Sequence, residues 1–257
     1  MIAAQRRNVI IETIERDGAV SIAALSDLLS TSAVTVRRDL DQLADEGRLT
    51  RTHGGAVAFS SARESTYAEK LEQALAEKTA IARAAAKHVR NGDVVALGPG
   101  TTTELLAKEL SDRSGIRIVT NSLLVAEAMV SSPDVEVIVV GGILRHSIRA
   151  FVGGGTVSAL LGLRADTVFL SGNGLAADFG LSTPAFPVAD TDRAMAAGAG
   201  QVTALVDHTK VGLRSSVLTV PTEEIDHLIT DSGSDGSELD ALRTAGVDVE
   251  VTTTSAS

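Results

Sequence analysis

Apolar residues in the first part of the chain recur at helical spacing. The spacing predicts three short helices, followed by a short β pattern of the kind that forms a wing. The third helix starts after Ser32, whose hydroxyl is a favourable N-cap. In this helix Val36, Leu40 and Leu43 lie four and three residues apart, so they share one buried face. The pattern therefore predicts a winged helix-turn-helix over residues 1–57.

Beyond residue 75 the pattern changes to amphipathic helices that alternate with strands that are apolar throughout. The predicted strands are 94–97, 116–120, 135–140, 167–170 and 202–206, and the tail at 234–251 adds one helix and one strand. Strands that are apolar on both faces are typical of a parallel sheet covered by helices on both sides. We therefore predict a Rossmann-like, mainly parallel α/β domain over 75–257. Residues 58–74 show no clean period and are predicted to be a linker that becomes helical near its end.

Composition narrows the function classes. The chain contains no cysteine, which excludes disulfides and thiolate chemistry, and only 2% of its residues are aromatic. No apolar run approaches the roughly 18 residues that a membrane-spanning helix needs. We therefore expect a cytoplasmic protein with no membrane partner, no metal ion and no cofactor.

The charge distribution leaves DNA binding possible despite a net charge of −10. Residues 1–60 carry seven Arg and eight Asp or Glu, so the acidic excess lies almost entirely in the larger domain. Arg37, Arg38, Arg48 and Arg51 lie close together in the sequence. A local basic face can bind nucleic acid even when the whole chain is acidic.

The predicted winged unit offers a set of DNA-contacting side chains. The second helix of a helix-turn-helix enters the major groove, where Arg, Ser and Thr can bind base edges or phosphate. The candidates on the helix and on the wing are Ser32, Thr35, Arg37, Arg38, Arg51 and His53. The alternative is an ordinary three-helix domain whose arginines pair with Asp39, Asp41 and Asp45.

A glycine turn follows the first apolar strand of the second domain and opens a helix. Backbone N–H groups at a helix N-terminus are unpaired and carry partial positive charge, so an anion can bind there. The candidate phosphate-binding residues are Gly98, Gly100, Thr101, Thr102 and Thr103. The motif is neither a Walker loop nor a full dinucleotide fingerprint, and a purely structural turn is the alternative.

Further polar residues follow other predicted strands, at the edge where parallel sheets bind ligands. These candidates for an effector site are Asn121, Ser122, Asn173, Asp207 and Lys210, with Lys78 from a preceding helix. Lys210 is the best candidate cation for a phosphate or a sugar oxygen. The alternatives are a solvated loop lysine for Lys210 and an exposed helix lysine for Lys78.

Residues 32–56, SAVTVRRDLDQLADEGRLTRTHGGA, resemble the N-terminal signature of the DeoR family of bacterial regulators. In that signature a Ser-x-x-Thr-Val-Arg-Arg-Asp-Leu helix precedes a wing with Arg-x-His-Gly-Gly-Ala. The resemblance continues along the whole chain, in the family's order, through EKTAIA, GPGTTTELLAKEL, IVTNSLLVAEAM, VEVIVVGG, ADTVFLSGNGL, DRAM and VDHTKVG. It implies a sensor domain that resembles ribose-5-phosphate isomerase A in fold. Family members often have an Asp near position 98, where this chain has Gly98.

The same resemblance bears on the choice between an enzyme and a sensor. Isomerases of this type carry an acidic Asp-Gly-Ala-Asp-Glu loop, and the corresponding stretch here is 171–175, with Asn173 in place of an acid. An amide cannot act as the general base of an isomerase. We therefore expect no enzyme activity; Asp178 and Asp207 are the only obvious carboxylates for one.

The function that these observations predict is a transcription factor that binds double-stranded operator DNA. The expected protein is a homodimer or homotetramer and a repressor of sugar or carbohydrate genes, and a phosphorylated sugar or related metabolite controls its operator binding. A sugar-phosphate isomerase and a DNA-binding dimer with a vestigial pocket are the alternatives.

Overall fold

The computed structural model describes residues 3–17, 19–45, 49–52, 55–58 and 67–254. The chain divides into two compact units, Met1–Glu64 and Ser65–Ser257. The first unit has one hydrophobic core, and the second has two apolar clusters, one on each face of its main sheet.

The first unit contains the predicted helices and wing. Its elements are α1 (Ala3–Asp17), β1 (Ala19–Ser21), α2 (Ile22–Leu28), α3 (Ala33–Asp45), β2 (Leu49–Thr52) and β3 (Gly55–Ala58). Strand β1 was not predicted, and it pairs with β3 in an antiparallel sheet of order β1-β3-β2. Val36, Leu40 and Leu43 are 2% exposed or less, which confirms the buried face predicted for α3.

The second unit is the predicted α/β domain. Its helices are α4 (Tyr67–Glu72), α5 (Leu75–Lys87), α6 (Thr101–Leu110), α7 (Leu123–Met129), α8 (Gly154–Leu160), α9 (Phe186–Ala197) and α10 (Gly236–Thr244). Its strands are β4 (Val94–Leu97), β5 (Arg117–Thr120), β6 (Glu136–Val139), β7 (Ile143–Arg145), β8 (Ala150–Val152), β9 (Ala165–Leu170), β10 (Gly174–Ala176), β11 (Gly180–Thr183), β12 (Ala199–Leu205), β13 (Val217–Val220), β14 (His227–Asp231) and β15 (Asp248–Thr252).

Seven strands form a parallel sheet in the order β15-β14-β12-β9-β4-β5-β6. Alternate strand residues point to opposite faces, so Val95 and Leu97 join one apolar cluster and Ala96 joins the other. Helices α5 to α7 contribute to the first cluster, and α8 to α10 contribute to the second. The prediction of a parallel sheet covered on both faces is thus confirmed.

Some strands of the second unit were not predicted. Strand β14 is buried throughout and lies within the main sheet, but its five residues begin with His227 and end with Asp231, which interrupts the apolar pattern. The antiparallel sheet β10-β11-β13 and the hairpin β7-β8 consist of strands of only three or four residues, too short for a clear period.

The predicted linker 58–74 overlaps the second unit, which begins at Ser65, and its helical end is α4. Helix α4 is fixed to this unit through Tyr67, whose hydroxyl donates a 2.6 Å hydrogen bond to Glu104 Oε2. The Arg149 guanidinium lies 4.6 Å from the centre of the Tyr67 ring, at cation–π distance. These partners are remote in the sequence, so the local pattern could not predict them.

Candidate effector site and DNA-reading helix

The strand order places the glycine loop at the switch point of the main sheet. From β4 the chain proceeds outward through β5 and β6, then returns to β9 on the other side of β4 and continues outward to β15. The carboxyl ends of β4 and β9 therefore border a crevice, which in open parallel sheets is the usual ligand site. The loop 98–100 follows β4, and residues 171–173 follow β9.

Gly100 is required at its position by both conformation and space. Its φ of +155° lies in a region that is essentially restricted to glycine. A Cβ atom here would lie 3.0 Å from Ser171 Cβ and 3.4 Å from Thr103 Oγ1. Any side chain would therefore close the gap between the loops that follow β4 and β9.

Helix α6 begins immediately after Gly100, at the border of the crevice. The first hydrogen bond at its N-terminus joins the Glu104 N–H to the Gly100 carbonyl at 3.0 Å. The amides of residues 101–103 precede it and have no acceptor within the helix. These amides and the positive end of the helix dipole are the features on which the prediction of an anion site rests.

The side chains of this loop divide into structural and available groups. Thr103 Oγ1 donates a 3.0 Å hydrogen bond to the Gly100 carbonyl and so holds the turn. Thr102 Oγ1 is buried and has no hydrogen-bond partner within the described part of the chain. The Gly98 N–H donates to the Phe169 carbonyl at 3.0 Å, so this amide extends the sheet and is not free for a ligand. A Cβ at Gly98 would lie 2.8 Å from Leu170 Cδ2, the flexible end of a side chain that would have to shift to admit it.

Asp192 is a residue that the sequence interpretation missed. It lies on α9, is 2% exposed, and its Oδ1 has no hydrogen-bond partner among the described residues. The same oxygen is 3.7 Å from the position of a Cβ on Gly98. Burial, opposed only by the charge of Arg193, raises the pKa of Asp192 to about 8. The group is therefore neutral at pH 7 and does not repel an anion bound nearby.

The sequence contains a signal for this residue. Val188, Asp192 and Met195 lie four and three residues apart, which is the spacing of one helix face. All three are at most 6% exposed. An acid at a core position of an amphipathic helix is unusual and marks a candidate functional group.

A compact group of charges follows β12. Lys210 Nζ lies 3.2 Å from Asp207 Oδ2, and the two side chains are 14% and 0% exposed. Burial alone would raise the pKa of Asp207, but Lys210, hydrogen bonding by Thr209 and the charge of Lys78 together lower it. Lys210 is thus a half-buried, paired cation, in contrast to the alternative of a solvated loop lysine.

Lys78 belongs to the same group and is 1% exposed, so the alternative of an exposed helix lysine is wrong. Its ammonium donates to the Lys70 carbonyl at 2.5 Å and to the Gln73 carbonyl at 2.6 Å. Burial, assisted by Lys210, lowers the pKa of Lys78 to about 8. This lysine ties the end of α4 to α5 and contributes charge beside Lys210.

The polar residues after β5 and β9 have local tasks. Ser122 Oγ accepts from the Val125 N–H at 3.3 Å and caps α7. Asn121 Nδ2 donates to the Phe151 carbonyl at 2.7 Å, whereas its buried Oδ1 has no partner in the described residues. Asn173 is half-buried, and its Oδ1 accepts from Thr183 Oγ1 at 3.4 Å.

Helix α3 of the first unit exposes two arginines. Arg37 and Arg38 are exposed, and neither side chain has a hydrogen bond or ion pair within the described residues. Asp39 is buried and accepts from Arg6 Nε at 2.7 Å, so it is not their partner. The alternative in which these arginines pair with Asp39 is therefore wrong.

The remaining candidates of the DNA-binding set differ in what the structure describes. Ser32 Oγ accepts from the Thr35 N–H at 3.2 Å, as predicted for an N-cap, and lies 2.9 Å from Thr35 Oγ1. Arg51 is part of β2, but its side chain lies outside what the structure describes, and His53 lies outside the described residues.

Two family models match the chain, one for each unit. A model described as a DeoR-like helix-turn-helix domain matches residues 6–62, and one described as a DeoR C terminal sensor domain matches residues 73–232. The chain belongs to the DeoR family. It is a DNA-binding transcriptional regulator. The match to curated relatives that are named as regulators extends along nearly the whole length of both chains.

Among curated relatives, the HTH-type transcriptional regulator GlpR of Haloferax volcanii is 38% identical, with 97% of this chain and 98% of the relative covered. The glycerol-3-phosphate regulon repressor of Escherichia coli is 32% identical, with 96% and 98% covered. The putative aga operon transcriptional repressor of Escherichia coli O157:H7 is 31% identical, with 95% and 92% covered.

Solved structures give only a distant likeness. Ribose 5-phosphate isomerase A from Methanocaldococcus jannaschii aligns with 52% of this chain and 52% of that chain, at a TM-score of 0.39 and 18% identity. No helix within the described residues of this DeoR-family regulator has both the length and the apolar character needed to cross a membrane.

Proposed function

We propose that this regulator is a repressor whose operator binding is controlled by a phosphorylated sugar or polyol bound in the crevice between β4 and β9. The observation that carries the proposal is the N-terminus of α6, where three amides without intrahelical acceptors face a crevice kept open by Gly100. A relative named as the repressor of a glycerol-3-phosphate regulon supports this class of ligand.

The groups around the loop fit a phosphorylated polyol better than an apolar ligand. Thr102 Oγ1 and Asn121 Oδ1 are buried polar atoms without partners in the described chain, and such atoms cost free energy unless a ligand or water binds them. A phosphate at the amides of residues 101–103 and hydroxyls on the attached carbons supply the missing partners.

Charge favours the same ligand. Lys210 and Lys78 follow or flank strand β12, which is two strands from β4 and so about 10 Å away by ordinary strand spacing. A ligand that extends from the loop across β9 brings its other end toward this pair. Asp192, neutral at pH 7, leaves the positive field of the helix end unopposed.

The two carboxylates that the sequence offers as a general base, Asp207 and Asp178, are both held in ion pairs. Lys210 and Thr209 hold Asp207 and lower its pKa, and Asp178 is paired with Arg214 at the surface. Asn173 after β9 is an amide. We therefore infer that the crevice binds its ligand without converting it, which favours the sensor over the isomerase.

Binding to the operator is assigned to α3. Arg37 and Arg38 project from a helix whose opposite face is buried, the arrangement in which a recognition helix contacts bases and phosphates. One winged unit buries little surface, so a specific site requires at least a homodimer with half-sites about 10 base pairs apart or a multiple. Light scattering and a footprint on the operator test this; a monomer with a single half-site would contradict it.

Repression requires that the ligand and the operator favour different states of the regulator, because equal affinity for both states shifts nothing. The ligand is proposed to lower operator affinity. The coupling free energy of such systems is about 1–3 kcal/mol, or roughly 5- to 150-fold in affinity.

A thermal-shift screen tests the ligand class. Phosphorylated glycerol, pentoses and hexoses are compared with the same compounds without phosphate. A ligand at about 100 times its Kd should stabilise the fold by about 2.7 kcal/mol, and its dephosphorylated form should lose most of that effect.

Two glycine variants locate the effect. Gly100→Val should abolish the shift, because its φ is strained for valine and its Cβ fills the crevice. Gly92→Val is the matched control, since Gly92 also has a positive φ, +98°, but lies before β4 with nothing within 4 Å of a Cβ. Equal stabilisation by phosphorylated and dephosphorylated ligands, undisturbed by Gly100→Val, would make the loop a structural turn.

A further inference from the structure

Two histidines and a glutamate meet at the end of the sheet opposite the glycine loop. The ligand atoms of His88, His227 and Glu250 all lie within 4.8 Å of one another, the one such group of this kind in the described residues. His88 Nε2 is 2.7 Å from Glu250 Oε2, and His227 Nε2 is 3.9 Å from the same oxygen.

The fold explains how residues so distant in sequence converge. In the β14–β15 pair, His227 is in register with Asp248, and Glu250 lies two residues further along β15, so all three point to the same face. Helix α5 packs on this face and ends at His88, its C-cap. The cluster thus joins one helix and two strands.

The distances are compatible with a shared metal ion in place of the present hydrogen bond between His88 and Glu250. With metal–ligand bonds of about 2.0–2.1 Å, a tetrahedral site places its ligand atoms about 3.3 Å apart. The observed separations of 2.7 Å and 3.9 Å lie on either side of this value. Small side-chain rotations would therefore bring the three atoms to a common centre.

The electrostatic setting also favours a cation. His227 is 4% exposed, so its imidazole meets the other two groups from within the fold, and the neutral form of such a ring is the one that binds a metal. The C-terminus of α5 adds the negative end of its dipole. Asp248 Oδ2, 3.9 Å from His227 Nε2, supplies a second carboxylate at the rim.

We propose that His88, His227 and Glu250 bind a divalent transition-metal ion, Zn²⁺ in the first instance, with water or Asp248 as the fourth ligand. Imidazole and carboxylate ligands in this number are typical of zinc. The bound ion would tie the C-terminal strand β15 to β14 and α5. Since the cluster lies at the amino ends of the strands, this site does not depend on the sugar-phosphate proposal.

Zinc titration of the full-length protein, free of any histidine tag, tests the site by calorimetry. One Zn²⁺ per chain and a higher Tm with zinc than with a chelator are expected. His88→Gln and Glu250→Gln should each lower zinc affinity by about 100-fold or more, since even indirect partners of a metal are worth roughly 10- to 100-fold.

His146→Gln is the matched control, because His146 is an exposed histidine directly after β7, in a hairpin separate from the main sheet. It should leave zinc affinity unchanged. Replacing Zn²⁺ by Co²⁺ gives a visible spectrum that reports nitrogen ligation, and this spectrum should change in His88→Gln alone of the two histidine variants. Zinc binding that occurs only at millimolar concentration, or that His88→Gln and His146→Gln alter equally, would overturn the proposal.

Discussion

Helix α3 of the first unit and helix α6 of the second unit present their polar groups in opposite ways. Arg37 and Arg38 extend side chains into solvent from a helix that is anchored by its other face. The first turn of α6 instead offers backbone amides, and the side chains of Thr101, Thr102 and Thr103 are at most 4% exposed. Binding through α3 therefore depends on the identity of its side chains. Binding at the N-terminus of α6 depends instead on the shape of the backbone and on the absence of a side chain at Gly100.

Asp192→Asn gives the largest expected effect, because it tests whether the buried acid is neutral. The pKa of Asp192 is raised from 3.8 to about 8, so the native state keeps a proton that the unfolded state has lost. Native stability should therefore fall as pH rises from about 4 to about 8, by up to about 5 kcal/mol.

Urea unfolding across this pH range measures the slope of the free energy of unfolding against pH. The variant Asp192→Asn should lack most of this slope. Asp190→Asn is the control, because Asp190 lies on the same helix but is exposed and paired with Arg193. A slope that persists in Asp192→Asn would show that another group carries it.

Arg38→Ala tests the side-chain half of the comparison. Loss of an arginine that contacts a base or clamps a phosphate should weaken operator binding by about 1–3 kcal/mol. Stability should not change, since Arg38 lies off the buried face of α3.

An anisotropy titration compares Arg38→Ala with Arg90→Ala, which removes one exposed arginine from the sensor unit. If the two variants bound the operator equally well, the assignment of α3 would fail.

Two hydroxyl variants give the smallest effects and separate structural from ligand-binding groups. Ser122→Ala should lower stability by about 1 kcal/mol through loss of the α7 cap, with ligand affinity unchanged. Thr102→Val should leave stability nearly unchanged, since the hydroxyl has no partner in the described chain. The same variant should weaken ligand binding by about 0.5–1.5 kcal/mol. The reverse result in unfolding and ligand titrations would exchange their roles.

These residues also show what the sequence could predict. Periodicity identified the buried face of α3, and therefore its exposed arginines, because exposure on a helix follows from spacing alone. It also identified the strand–glycine–helix order at β4. It could not show that the Gly98 amide is used in the sheet, because the acceptor, the Phe169 carbonyl, is remote in the chain. The cap at Ser122 has the same local signal as the cap at Ser32, but Ser122 was interpreted as a ligand-binding group.

The sequence pattern also could not predict which residues far apart in the chain meet in the fold. His88, His227 and Glu250 meet only through the register of β14 and β15 beneath α5, so no local ligand pattern marks them in the sequence. Asp192 reaches Gly98 only through the packing of α9 on the sheet. Parallel strands bring together residues that are far apart in the chain, and no periodicity records this.

Operator release by the phosphorylated ligand tests the central claim most directly. In an anisotropy titration of the operator complex, the phosphorylated compound should lower operator affinity for the wild type and Gly92→Val, by roughly 5- to 150-fold. Gly100→Val should bind the operator normally and should not respond, and the dephosphorylated compound should have little effect on any of them. Release of the operator by the dephosphorylated compound as well, or an undiminished response in Gly100→Val, would contradict control through the loop before α6.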